Sequence, residues 1–375
     1  MPVFETHDQA ALLGVSPIAH VSDEEIFRHL VTPTVKGLLG QINKRGETRV
    51  LETRQGIFPG DEATNLNGHL LAVGPNQHSA ALVRFPYRHT IYRTERGAIV
   101  VKADGVKFEV FCWFGNVDKG RAELVLKAAL RDRRYDGTWR ANDSALLDYT
   151  YDHPVRHQRL SDTLSSVELS IYGFMPASRA VDATGDKDYD AFLQNPFRYL
   201  QDADKFLEHF ERAFKSKHAP GQFARPVPDV SQYALKGFDI IARKHGYDLI
   251  EMAASHYHVA MWAVDGGFAY SDPAQEKIVA RLTAGLEKIR ASGQPLTRTQ
   301  QSWACVIQSL RPADRIPAGL SMGSLANGHE TDLQWPQNNL DETCLWLYKP
   351  LSERARGFKP RVCFNPEVCQ AQKIA

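Results

Sequence analysis

Between Thr48 and Phe114 the chain is cut into short β-rich runs, TRVLET, HLLAV, SAALVR, HTIYR, AIVVK and VKFEVFCWF, separated by Gly, Pro and Asn clusters. Runs of that length and punctuation do not fit long helices, and they predict an antiparallel meander. The sharpest local signal is Asp104-Gly105 between AIVVK and VKFEVFCWF. It has the chemistry of a tight hairpin turn. Ahead of the meander, Ser22 to Glu25 fits a capping box, followed by Ile26, Leu30 and Val31 at helical spacing. After it, 119–133 reads as a helix with Leu124, Val125 and Ala128 on one face. VELSIYGF reads as one further strand.

Past the small, polar stretch PASRAVDATGDKD the period changes to that of helices. Segments 188–217, broken near Pro196, and 231–246 carry it, as does 273–293, where Ile278, Leu282, Leu286 and Ile289 are in register. YHVAMWAV, then Asp265-Gly266-Gly267, then FAYSD read as a hairpin within this helical half. The C-terminal third, rich in Pro, Gly, Asn and Trp, reads as irregular but packed. The expected fold class is therefore α+β. An N-terminal antiparallel β-meander with helices (1–178) precedes a mainly α-helical region with one β-hairpin (179–375), as two domains or one large one.

An apolar fraction of 43% is enough for a packed core, and no long tract has the composition of disorder. Lys plus Arg at 45 against Asp plus Glu at 44 gives no global attraction to nucleic acid or membrane. No run approaches the roughly 18 apolar residues of a bilayer span. The five cysteines, Cys112, Cys305, Cys344, Cys363 and Cys369, are odd in number and lack CxxC spacing. Reduced thiols and a cytoplasmic location are expected, in the producing cell or in a host cell if the protein is exported. Walker A, GxGxxG, GxSxG, HExxH and EF-hand patterns are absent from the sequence.

The segment SHYHVAMWAVDGGFAYSDP stands out. If it formed a hairpin, His256 and His258 at one end would meet Asp272 at the other. A cysteine enzyme needs an imidazole to take the thiol proton and a carboxylate to orient the ring. Locally, over about fifty residues, the pattern resembles cysteine peptidases and acyltransferases of the Ulp and YopJ type. His256-Tyr257 matches the histidine pair, Asp272 the acid, Gln300 or Gln301 the glutamine and Cys305 the nucleophile. The resemblance implies a protein or peptide substrate, an oxyanion-stabilising Gln301 and no cofactor. Two departures are visible: a short interval from histidine to cysteine, and Val306 rather than glycine after Cys305.

Cys305 is expected early in a helix, where the N-terminus would favour a thiolate. The competing reading makes it a small buried hydrophobe. Papain-like enzymes offer a second likeness, with Cys112-Trp113 as the upstream nucleophile. Strand alternation, however, puts Phe108, Val110, Cys112 and Phe114 on one core face. Asp272-Pro273 also fits a helix N-cap with proline at the first helical position. A metal reading begins from His256 and His258 with Asp272, but no further motif completes a ligand set, so no metal is expected.

The alternative to an enzyme is a nucleic-acid-binding or assembly protein. Residues 84–159 interleave aromatic and basic side chains, in RFPYRHTIYR, DRRYDGTWR and YTYDHPVRHQR. Arg88, Arg93, Arg133, Arg134, Trp139 and Arg140 would be the contacts. Interspersed acids make a solvated surface the plainer reading. The sequence leaves the oligomeric state open.

Overall fold

The computed structural model describes residues 17–41, 49–55, 71–72, 83–84, 88–103, 107–116, 119, 121–132, 164–173, 184–216, 218–221, 230–271, 273–322, 335 and 345–356. It is a mixed α/β fold built around a nine-stranded sheet. The strands are β1 (Val50–Gln55), β2 (Leu71–Ala72), β3 (Val83–Arg84), β4 (Arg88–Thr94), β5 (Gly97–Ala103), β6 (Lys107–Asn116), β7 (Arg121–Arg131), β8 (Ser166–Gly173), β9 (Leu249–Ala254), β10 (Ala269–Tyr270) and β11 (Leu345–Pro350). The large sheet runs β1-β4-β5-β6-β7-β8-β9-β11-β10, while β2 and β3 pair separately. Its joints are antiparallel except β8–β9, where Ser166 to Glu168 run parallel to Leu249 to Glu251. Strands from both sides of position 178 thus share one sheet.

Among the described residues the helices are α1 (Thr32–Gln41), α2 (Lys187–Gln194), α3 (Ala203–Lys215), α4 (Val230–Lys244), α5 (Tyr257–Asp265), α6 (Pro273–Ala291), α7 (Arg298–Ile307) and α8 (Glu353–Arg356). A helical turn, Asp23–Glu25, and a π-helical turn, Ile26–Val31, lead into α1, and the expected Ser22 capping box is formed. Pro273 is the first residue of α6.

The segment expected as a helix over 119–133 is instead the long strand β7. Its residues carry both periods. Ala122, Leu124, Leu126, Ala128 and Leu130 alternate with Arg121, Glu123, Lys127 and Arg131. Pairing with β6 along the whole strand chooses the period of two, and Leu126, Ala128 and Leu130 become buried. Val125 is absorbed by a register shift where Cys112 faces Leu126 and Trp113 faces Leu124.

The expected hairpin in the helical half is also not formed. YHVAMWAV is helix α5, which turns Tyr257, Ala260 and Ala263 into the core. Asp265-Gly266-Gly267 is a helix stop rather than a strand turn. Gly267 at φ +87° gives its N–H to Val264 O, and Phe268 gives its own to Ala263 O, which closes the helix end. β10, from the FAYSD run, forms the edge of the sheet by pairing with β11, and β11, from the segment that reads as irregular, is inserted between it and β9.

The core lies between the sheet and the helices. Val101, Phe108, Val110, Leu126, Ala128 and Val167 share one cluster with Leu30, Leu38, Phe238 and Trp303. On the other sheet face Ile91, Ala98 and Val100 pack with Phe111 and Trp113. Close strand approach matters at Gly97, after the Glu95-Arg96 turn. A Cβ there would lie 2.0 Å from the Trp113 carbonyl oxygen. Gly97→Ala should therefore lower stability by about 1–3 kcal/mol, read as a fall in the thermal midpoint. An unchanged midpoint would mean that the β5–β6 spacing relaxes freely.

Candidate functional site

Three helices and a strand end meet around a cleft of about 600 Å³. Each helix presents one stripe to it: Gln232, Leu235, Lys236 and Asp239 from α4, then His258, Met261, Trp262 and Asp265 from α5. These are i, i+3, i+4, i+7 series, so a single face of each helix is used. Arg298 and Gln301 from α7 and Lys349 from β11 complete the lining with Tyr257. Lys349 Nζ pairs with Asp239 Oδ2 at 2.6 Å. Arg298 donates to the His258 carbonyl at 3.3 Å.

His258 is the candidate histidine that reaches this cleft. Ser302 on α7 holds it twice, accepting from the His258 backbone N–H at 3.1 Å and bonding Nδ1 at 2.9 Å. The first bond satisfies an orphan donor at the start of α5, where His256 occupies the N-cap position without a side-chain cap bond. Ser302 is fully buried. With its oxygen accepting from the backbone, its single proton is best used on Nδ1, which leaves Nε2–H as the ring's donor. Burial, and then the nearby Arg298 charge, hold His258 down at about 4, so the ring is neutral at pH 7.

His256 lies behind, buried against Phe197 and His258 at ring-centroid distances of 6.0 and 6.2 Å. A Cβ on Gly221 would sit 2.7 Å from its Cε1, so the glycine is what lets the chain pass the ring. Neither ring nitrogen has a hydrogen-bond partner among the described residues. Burial, reinforced by His258, places its pKa well below 6.5.

Cys305 is wholly buried, and burial pushes its thiol far above the ordinary range. It was expected early in a helix. It is the eighth of the ten residues of α7, near the carbonyl end, where the helix field disfavours a thiolate. Neither Cys305 nor His256 lines the cleft. Asp272 lies outside the described residues. Gln300 is committed to structure: its Oε1 accepts from Thr297 N in a capping box and its Nε2 donates to Phe214 O. Gln301 gives its Nε2 to Leu296 O while facing the cleft. Cys112 is a buried core residue on β6 whose thiol is pushed up to about 12 by burial.

Of the basic aromatic set, Arg88 and Arg93 lie on β4, and Arg93 Nε meets Glu52 Oε2 at 3.4 Å. Arg133, Arg134, Trp139 and Arg140 lie outside the described residues. Among the described residues no group of three His, Cys, Asp or Glu side chains is placed to hold a metal ion. No helix among them is long and apolar enough to cross a membrane.

Of the residues singled out in the sequence, His258 and Gln301 line the cleft, and the cleft as a whole was not expected. The helical stripes of α4 and α5 were the available signal, and reading YHVAMWAV as a strand concealed the second. Fold and site define a mixed α/β protein with an open cleft edged by cations and aromatic side chains. No protein-family model matches the chain, and neither a curated protein nor a solved structure matches it.

Proposed function

We propose that the protein binds a small ligand in the α4–α5–α7 cleft, and that this binding, rather than thiol chemistry, is its activity. The observation that carries the reading is the division of the candidate residues. His258, Gln301 and Arg298 line an open cleft, while Cys305 and His256 lie buried outside its wall. A volume near 600 Å³, walled by Tyr257, Met261, Trp262 and Leu235 with a few polar groups, fits the usual build of a ligand pocket. The free, buried Cys112 and Cys305 fit a reducing compartment such as the cytoplasm.

A Cys305-dependent hydrolase or acyltransferase acting on a protein or peptide would require the thiol to become accessible and its pKa to fall. Nucleic-acid binding through 84–159 draws its support from the basic and aromatic composition of that stretch.

The test is a saturation-transfer NMR survey of small molecules against the wild type and Met261→Trp, which fills the cleft. Ligands should be found whose signals disappear in the variant. Iodoacetamide at neutral pH should leave Cys305 unmodified in the folded protein. Ligands indifferent to Met261→Trp would overturn the cleft reading, and rapid alkylation of Cys305 would favour the cysteine enzyme.

A further inference from the structure

Resting on the cleft reading, we infer the class of ligand: a flat aromatic body carrying a phosphate or carboxylate. The polar groups of the cleft are distributed unevenly. At the start of α5 stand Arg298, whose guanidinium makes one bond to a backbone carbonyl, and the donor Nε2–H of neutral His258. Neither Arg298 nor Lys236 has a carboxylate partner among the described residues, and both are exposed. Lys349, by contrast, is neutralised by Asp239 at 2.6 Å. Asp265, the remaining acid, lies seven residues beyond His258 along α5. At the helical rise that is roughly 10 Å away, at the other end of the cleft.

An anion placed at the Arg298 end would therefore meet a guanidinium and a neutral imidazole donor with no carboxylate beside them. Arginine binds planar oxyanions through paired N–H groups, which suits phosphate and carboxylate alike. Between the two ends, on the α5 side, the wall is Met261 and Trp262. Trp262 and Met261 are half-buried and packed against the core, so each offers a face already held in place. An aromatic ring gains from stacking on such a surface, and a soft thioether adapts to its edge. About 10 Å between the charged end and Asp265 accommodates one or two rings, which sets the scale of the ligand.

The experiment uses the full chain and four probes, followed by saturation-transfer NMR and isothermal titration: phenyl phosphate, phenol, inorganic phosphate and benzylamine. Phenyl phosphate should bind at one site, with phenol and inorganic phosphate each at least tenfold weaker. Arg298→Gln should weaken phenyl phosphate at least tenfold and leave phenol unchanged. Lys288→Gln on the exposed face of α6 should change neither.

Equal binding of phenol and phenyl phosphate, indifferent to Arg298→Gln, would overturn the anionic part. Inorganic phosphate as tight as phenyl phosphate would overturn the aromatic part. Preference for benzylamine would assign the cleft to cations through Asp265 and overturn the class. In each case loss of the signal in Met261→Trp leaves the cleft reading standing. Persistence of every probe in Met261→Trp would remove the cleft reading itself.

Discussion

Asp248→Ala should destabilise the protein by about 2–4 kcal/mol, because it strands the buried Ser165 donors while the half-exposed Arg354 turns to water. Asp248 is 6% exposed and sits where three strands meet. Its carboxylate accepts from Ser165 N at 2.9 Å, Ser165 Oγ at 3.1 Å and Ser352 Oγ at 2.5 Å, and it is paired with Arg354. Its backbone joins the same knot, donating to Ser165 O and accepting from Leu351 N at 2.7 Å. One residue thus ties the start of β8 to the start of β9 and the end of β11. Burial works to raise the carboxyl, and the bonds from Arg354, Ser352 and Ser165 outweigh it, so its pKa lies below 3.8.

Urea unfolding of the wild type, Asp248→Ala and Asp248→Asn would measure the effect. Asparagine keeps one acceptor oxygen and should lose less than alanine. A midpoint for Asp248→Ala within error of wild type would show that the knot is redundant. The depressed carboxyl also sets a pH window. Its contribution is present above 3.8 and fades as pH falls through the lower folded value.

A larger acid effect should arrive earlier, from the histidines. Both His256 and His258 have folded pKa values below the ordinary 6.5, through burial first and then the His258 and Arg298 charges respectively. Above 6.5 both states are neutral and the rings cost nothing. Below 6.5 the unfolded chain binds protons that the folded rings refuse, so stability falls with pH. Each ring loses about 1.4 kcal/mol per pH unit until its folded value is reached. For His258, whose folded value is about 4, this amounts to about 2 kcal/mol by pH 5, and His256 adds to it in the same direction.

Equilibrium unfolding at pH 7, 6 and 5 would show this slope, and His256→Phe would make it shallower. Phenylalanine can keep the stacking on Phe197 while deleting two unpartnered nitrogens. A flat profile between pH 7 and 5, or a slope unchanged by His256→Phe, would mean that these rings gain protons without unfolding.

Local signals were legible wherever a short stretch of chain decides its own structure. The Ser22 capping box, the strands around Asp104-Gly105 and the helix opening at Pro273 all follow from neighbours within a few residues. The core role of Cys112 followed from alternation alone. Two segments misled because they carry two periods or none. In β7 the alternating set and the helical set overlap, and only the partner strand β6 separates them. YHVAMWAV is apolar at nearly every position, so its sequence does not distinguish a strand from a buried helix.

The candidate site divided along the same line. Residue types at suggestive spacing brought His256, His258, Gln301 and Cys305 together on paper. Whether a side chain faces a cleft or the core depends on helix phase and on which helices pack beside it. One turn of α7 carries both Ser302, which holds His258, and Cys305, which is sealed in the core. The chain by itself determined its β-rich front, its helical segments and their caps, because those rest on local hydrogen bonding and patterning. The tertiary structure alone decided that β7 is a strand, that β11 is inserted between β9 and β10, and that the cleft admits His258 and excludes Cys305. Those outcomes depend on contacts between residues far apart in sequence, whose burial no local pattern encodes.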